Sequence, residues 1–145
     1  MQIEIKIDPS CREPKIIVLT DKMTDEVNAA LKRLSEAPQM LSGFRDGILE
    51  VIEQQDIFRI YASARKVMAE TTRGEYQLRQ RIYELEERLD KSSFVRISNS
   101  EIINLKKVRG FDLRFTGTIC VSLTNGAVTY VSRRYITKIK QVLGI

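Results

Sequence analysis

The sequence contains no histidine, no tryptophan and only two cysteines, Cys11 and Cys120, among 145 residues. Without histidine the chain lacks the commonest general base and the commonest neutral metal ligand. The cysteines stand far apart and outside any CxxC spacing, so we expect reduced thiols rather than a zinc site or a disulfide. No nucleophile–base pair and no glycine-rich phosphate loop is visible. We therefore expect no enzyme, no cofactor and no small-molecule substrate.

Long apolar runs are also missing. The longest stretches, such as residues 16–19, are far too short to cross a bilayer. The first ten residues, MQIEIKIDPS, alternate apolar and polar side chains, which is not the pattern of a signal or transit peptide. The sequence thus predicts a cytoplasmic protein without a membrane anchor.

Acidic residues are scarce in the last third of the chain. Residues 91–145 contain ten Lys and Arg against two Asp and Glu, whereas residues 1–40 and 41–90 carry small net charges of −1 and −2. Cations near a helix end, such as Lys138 and Lys140, could simply complement the helix dipole. That explanation does not account for the near absence of Asp and Glu from residues 91–145. The pattern favours a surface that binds a polyanion.

The first forty residues predict a small β-β-α element. Residues 1–7 alternate in the manner of a half-buried strand, and residues 15–19 suggest a second strand. Thr24 then suits a helix N-cap, and Pro38 suits the end of that helix. Such an element is too small to be stable alone, so we expect it to pack against the rest of the chain or a second copy.

The remainder, residues 41–145, reads as mostly β (α+β). A short helix is expected around residues 82–89, and a final helix over residues 133–143 with Ser132 as its cap. Asn125-Gly126 between two alternating segments is a strong hairpin signal. The predicted strands are residues 48–52, 57–62, 67–71, 76–78, 94–97, 108–115 and 118–123, with an apolar segment at 102–103.

Two separated blocks, FVRISNSEIINLKKV at residues 94–108 and VSRRYITKIKQVLG at residues 131–144, resemble the LytTR family of bacterial DNA-binding domains. The family pattern combines an F-x-R-x-x-x-S-x-x-V/I-N block, a hairpin with a D/N-G turn and a Ser-Arg-Arg-Tyr helix start. The resemblance implies small antiparallel sheets whose loops reach into successive major grooves. It also implies a DNA-binding domain over residues 41–145, with residues 1–40 as an extension. Within the first block, we interpret Asn104 as a structural hydrogen-bonding residue.

Three loops correspond to those that contact DNA in the family. Arg suits a guanine edge or a phosphate, and Asn suits adenine or a phosphate. Each loop has an ordinary structural alternative: a solvated turn tip, an Asx turn at Asn99, or an Arg133 that binds groups within the protein. The predicted DNA-contacting residues are Arg65, Lys66, Ser98, Asn99, Ser100, Arg133, Arg134 and Lys138.

The resemblance predicts a sequence-specific regulator that binds double-stranded DNA as a homodimer. A phosphorylatable receiver domain would not fit into residues 1–40, which we instead expect to mediate dimerisation or to contact a regulatory protein partner. One alternative is a protein-interaction module on the same scaffold, controlled by a partner and weak in DNA binding. Another is single-strand or RNA binding, for which few suitable aromatic residues are present.

Overall fold

The computed structural model describes residues 1–35 and 41–145. The chain divides into two compact units, Met1–Ala37 and Pro38–Ile145. Within the described residues, the first unit contains one helix and the second contains every strand.

Helix α1 (Asp25–Ser35) is the regular element of the first unit. Its start agrees with the prediction, because Thr24 Oγ1 accepts a hydrogen bond from the Val27 backbone N–H at 3.2 Å. Asp25 and Glu26 lie in the first turn, where the helix dipole favours negative charge. The predicted end at Pro38 lies outside the described residues.

The two strands predicted for residues 1–7 and 15–19 are not formed, so the β-β part of the predicted β-β-α element is wrong. Neither segment belongs to a helix or strand, and Ile3, Ile5 and Ile7 are 92%, 84% and 92% exposed. Alternation indicates which side chains would share a face, but a strand also needs a neighbouring backbone to complete its hydrogen bonds. Neither segment has such a neighbour among the described residues.

The second unit is built on a seven-stranded antiparallel sheet. The strands are β1 (Leu41–Arg45), β2 (Ile48–Ile52), β3 (Ile57–Ser63), β4 (Lys66–Thr71), β5 (Gly74–Leu78), β6 (Phe94–Ser98) and β7 (Glu101–Asn104). Their order in the sheet is β2-β1-β5-β4-β3-β7-β6, so the hairpin of β6 and β7 joins the sheet by pairing β7 with β3.

Strand β1 was not predicted, because Gly43 interrupts its apolar pattern. The glycine is required by close packing: a Cβ there would lie 2.6 Å from Ile52 Cδ1 and 2.7 Å from Tyr76 Cβ. Gly43 pairs with Glu50 of β2, and the absence of a side chain leaves room for the buried side chains of Ile52 and Tyr76.

A second, three-stranded antiparallel sheet follows, with order β10-β9-β8. It contains β8 (Val108–Asp112), β9 (Ile119–Leu123) and β10 (Val128–Val131). The predicted Asn125-Gly126 turn joins β9 to β10, and Gly126 has a φ of 91°. Helices α2 (Ile82–Arg88) and α3 (Ile136–Leu143) complete the unit together with short 3₁₀ turns. The predicted fold class, mostly β with a mid-chain helix and a C-terminal helix, is confirmed.

Two apolar clusters lie on opposite faces of the β6–β7 pair. Phe94 and Ile102 belong to the cluster that includes α2, whereas Val95 and Ile103 belong to the cluster that includes the three-stranded sheet and α3. The alternation of side chains along a strand produces this division. The β6–β7 end of the seven-stranded sheet therefore lies between the cluster that includes α2 and the cluster that includes α3.

Asn104, at the end of β7, has the structural role that the sequence predicts. Its side chain is 1% exposed. The amide Nδ2 donates to the Ile57 carbonyl at 2.9 Å, and Oδ1 accepts from the Lys106 backbone N–H at 3.0 Å. One buried side chain therefore connects β3, β7 and the turn that leads into β8.

Candidate nucleic-acid interface

The turn between β3 and β4 presents Arg65 and Lys66 to solvent. Ser63 pairs with Lys66 across the hairpin, so the tip consists of two residues. Both tip residues have left-handed backbones, with φ of 49° at Ala64 and 65° at Arg65. Two-residue hairpins favour this conformation because it matches the twist of the strands, but it is uncommon for residues other than Gly, Asn and Asp. The backbone thus holds Arg65 at the tip of the hairpin.

The turn between β6 and β7 contains Ser98, Asn99 and Ser100. The Arg96 side chain stabilises this turn with two hydrogen bonds: Nε donates to the Ser98 carbonyl at 3.0 Å, and Nη2 donates to the Asn99 carbonyl at 2.8 Å. The Ser100 backbone N–H also donates to Ser98 Oγ at 3.2 Å. Asn99 and Ser100 are exposed, whereas Ser98 is half-buried.

Tyr135 connects this turn to the third predicted segment. Its hydroxyl donates to Asn99 Oδ1 at 3.0 Å, while its half-buried ring packs against the apolar cluster of the three-stranded sheet. The Arg96 guanidinium lies 5.9 Å from the centre of the same ring. Tyr135 therefore combines a ring that packs in the core with a hydroxyl that supports the polar turn.

The third segment, residues 132–138, begins as a 3₁₀ turn (Arg133–Tyr135) and continues as α3. Ser132 does not cap it with its side chain, which corrects the prediction; the Tyr135 N–H bonds to the Ser132 carbonyl instead. The Ser132 backbone N–H is used elsewhere, donating to the Ile97 carbonyl of β6 at 2.9 Å. Arg133, Arg134 and Lys138 are all exposed.

Strand pairing brings the three segments to one end of the seven-stranded sheet. Strands β3 and β7 are antiparallel, with Tyr61 opposite Glu101, and the Ala62 N–H donates to the Ser100 carbonyl at 2.8 Å. The end of β3 therefore lies beside the start of β7. Segment 132–138 is attached to the end of β6 through Ser132. We call the turns 63–66 and 98–100 and the segment 132–138 together the turn end.

The turn end is positively charged. Its five cationic side chains form no ion pair with any other described residue. They are Arg65, Lys66, Arg133, Arg134 and Lys138. By contrast, the supporting Arg96 lies 3.6 Å from the Glu86 carboxylate. An unneutralised cationic surface attracts phosphate groups, and its field is strongest at low salt.

A polar network lies under the turn end, where Glu101 directly follows Ser100. Glu101 Oε1 accepts from Thr129 Oγ1 of β10 at 3.0 Å, and Oε2 lies 3.7 Å from Arg59 Nη1. Arg59 Nε also donates to Glu70 at 2.8 Å. Burial raises the pKa of Glu101, against the opposing effects of the Thr129 hydrogen bond and the Arg59 charge. The network joins the two sheets close to the second turn.

Sequence reasoning did not identify Arg96, the Tyr135 hydroxyl or Glu101 as supports of the turn end. Arg96 lies within the F-x-R block, so the motif contains the signal without stating its purpose. No sequence motif marks Glu101, because its supporting role depends on contacts with Arg59 and Thr129, which lie far away in the sequence.

The described residues offer no group of three or more His, Cys, Asp or Glu side chains placed to hold a metal ion. Cys11 and Cys120 are both free thiols. None of the described helices has the length and apolar character needed to span a bilayer.

The chain is similar over its full length to proteins of Staphylococcus aureus. Relatives described as uncharacterized HTH-type transcriptional regulators, from strains NCTC 8325 / PS 47 and COL, are each 31% identical over 147 residues. The match covers 100% of this chain and 99% of each relative. A helix-turn-helix needs two consecutive α-helices. Among the described residues of this chain, strands separate every α-helix from the next, so no two of them are consecutive elements.

Residues 48–144 match the family described as the LytTr DNA-binding domain. The fold is also similar to a solved structure, the LytTr DNA-binding domain of a methyl-accepting/DNA response regulator from Bacillus cereus. The TM-score is 0.70 at 20% identity, and the match covers 73% of this chain and 97% of the other.

Proposed function

Because this chain belongs to the LytTR DNA-binding domain family, we propose that it regulates transcription by binding specific sequences of double-stranded DNA through the turn end. It acts in the bacterial cytoplasm as a homodimer on paired sites, and its role is binding rather than catalysis. Residues 1–40 provide the contact with a second copy or with a regulatory protein.

One observation carries the proposal: three exposed polar segments from distant parts of the sequence share one end of the sheet, and their five cations have no ion-pair partner among the described residues. Binding energy to DNA comes largely from such cations at phosphates, and sequence is read by side chains at base edges. Two hairpin turns and the start of α3, rather than one recognition helix, carry these side chains, which supports entry into successive major grooves.

The chemistry of each segment suggests its role. The guanidinium groups of Arg65 and Arg134 suit guanine O6 and N7, since a planar fork matches two acceptors. Lys66, Arg133 and Lys138 suit phosphates, which fix the position of the protein without reading sequence.

Asn99 offers a narrower contact than its residue type alone would suggest. One lone pair of its Oδ1 accepts from the Tyr135 hydroxyl, which fixes the orientation of the amide and leaves both amide N–H donors for DNA. Bidentate pairing with adenine would have to use the second lone pair of the same oxygen. We therefore propose that Asn99 donates to an acceptor, either a phosphate oxygen or a base atom such as guanine N7 or thymine O4.

The proposal is tested by selecting bound duplexes from a random pool and titrating the full chain with the selected duplex and a scrambled one over a series of salt concentrations. We expect a clear preference for the selected duplex and a steep fall of affinity with salt. Replacing Lys66 by Ala should lower the slope of log K against log salt by about one and leave the preference unchanged.

Equal binding of selected and scrambled duplexes would overturn the proposal. If both were bound weakly and with little salt dependence, the result would instead favour a protein-interaction module controlled by a partner.

A further inference from the structure

The first eight residues, which we call the N-terminal segment, expose apolar side chains that the turn end does not use. Ile3, Ile5 and Ile7 have exposed fractions of 92%, 84% and 92%. Each alternates with a polar residue, so in an extended chain the three isoleucines would occupy one face and the polar residues the other. Side chains of this size are seldom left in water in a regular row, which points to a partner.

The charges of the segment identify a second copy as that partner. The sequence Gln2-Ile3-Glu4-Ile5-Lys6-Ile7-Asp8 is complementary to itself when two copies run antiparallel about Ile5. Ile5 then faces its own equivalent, Ile3 faces Ile7, and Glu4 faces Lys6 on both sides of the axis. Opposite charges directly across an antiparallel pair stabilise it, as do β-branched pairs.

Shifting the centre of the pair by one residue in either direction places like charges opposite each other. Centring the pair on Glu4 would place the two Glu4 carboxylates opposite each other, and centring it on Lys6 would do the same to the two Lys6 ammonium groups. Like charges directly opposite destabilise a pair. A one-residue shift of the centre is therefore penalised in both directions. Centring the pair on Ile7 would set Lys6 opposite Asp8, but it would also set Ile5 opposite Pro9, which has no N–H for a ladder bond. The register centred on Ile5 is therefore favoured.

We propose that two copies of this chain pair through their N-terminal segments as an antiparallel β-ribbon with its two-fold axis at Ile5. The ribbon ends at Pro9, which has no N–H for a further ladder bond. This inference specifies the homodimer of the proposed function and rests on it, although the pairing itself needs no DNA.

The rest of the first unit supplies further strands. A ribbon of two strands is marginal in water, and four strands are far better. The chain turns directly after the segment, where the Cys11 N–H donates to the Asp8 carbonyl at 3.1 Å. Residues 15–19, with Ile16 and Leu19 71% and 90% exposed, follow this turn and form the outer strand on each side. In the proposed dimer, residues 1–7 and 15–19, which form no strands in the single chain, become strands.

The test is a charge exchange, followed by sedimentation velocity on the full chain without DNA. We expect the wild type to dimerise. Glu4→Lys leaves only cations at the two facing positions and Lys6→Glu leaves only anions, so each alone should weaken the dimer about tenfold or more. The double variant Glu4→Lys/Lys6→Glu should dimerise like the wild type, and a mixture of the two single variants should form a heterodimer. Glu13→Lys, an exposed change of the same charge outside the segment, is the matched control.

A monomeric wild type would overturn both this inference and the proposed homodimer. A dimer that ignores the single exchanges would overturn this inference alone and leave a homodimer through another surface. A double variant that stays weak, or single variants that do not combine, would also overturn it. Specific DNA binding is measured separately, so its failure would leave the pairing result intact.

Discussion

The Tyr135 hydroxyl donates a 3.0 Å hydrogen bond to Asn99 Oδ1, across 36 residues of sequence. Because the Tyr135 ring packs against the apolar cluster of the three-stranded sheet, the bond couples an exposed polar turn to a packed core. The orientation of the Asn99 amide, and hence the donor that it offers to DNA, is set by a residue that itself makes no predicted DNA contact.

Replacing Tyr135 by Phe should test this coupling. The ring remains and only the hydroxyl is lost, so we expect unchanged stability but a threefold to tenfold loss of affinity for the selected duplex, which is about the value of one hydrogen bond. Fluorescence anisotropy with selected and scrambled duplexes gives the measurement. Tyr83→Phe is the control, because Tyr83 is exposed on α2 and has no partner in the turn end. Equal losses in the two variants would contradict the prediction.

Replacing Arg134 by Ala should cost about 1 to 3 kcal/mol of specific binding and relax the base preference at one position. The reason is that a guanidinium fork at a base edge contributes to the specific complex and much less to the non-specific one. Lys140→Ala removes one positive charge from α3, outside the turn end, and is the control. Both variants are compared by titration with the selected duplex, and unchanged affinity of a folded Arg134→Ala protein would remove this residue from the site.

Replacing Asn104 by Ala should reduce the free energy of unfolding by about 2 to 4 kcal/mol. The change leaves the Ile57 carbonyl and the Lys106 N–H without their partner in a buried position. Urea unfolding followed by circular dichroism provides the value. The exposed Asn28→Ala should change stability by less than about 0.5 kcal/mol. A small effect at Asn104 would show that the turn into β8 does not depend on this side chain.

Stability should fall as the pH rises above about 4.5, the ordinary pKa of Glu101, because burial raises the pKa of this carboxyl in the folded chain. In that range the folded state holds a proton that the unfolded state has released, so deprotonation favours unfolding. In the Glu101→Gln variant, this decrease of stability with rising pH should disappear.

Other carboxyls act in the opposite direction and at lower pH, which separates them from Glu101. Hydrogen bonds from Ser92 lower the pKa of Asp90, and those from Arg114 lower the pKa of Asp112 to about 2. Their stabilising effect is present above their ordinary pKa of 3.8 and is lost as the pH falls below it. Unfolding of the wild type and Glu101→Gln across pH 4 to 7, on the scale of ordinary carboxyl titration, tests the prediction; identical profiles would contradict it.

The local sequence was sufficient for most elements of the second unit. The Asn125-Gly126 turn, the amphipathic pattern of α2 and the buried Asn104 depend on neighbours in sequence or on a motif, and each is found as predicted. Strand β1 was missed because Gly43 carries no side chain to mark a pattern, and a glycine is needed there because the Ile52 and Tyr76 side chains of other strands approach closely. The segments at residues 1–7 and 15–19 show the opposite error, since their pattern is clear but no backbone neighbour completes it.

The sequence alone determined which residues are basic, where the turns lie and which side chains alternate, because these follow from residue type and spacing. Only the tertiary structure decided that Arg65, from an acidic stretch of the chain, lies at the same end as the basic segment 132–138. The physical reason is strand pairing: the register of β3 on β7 and the bond from Ser132 to β6 join segments that no local pattern relates.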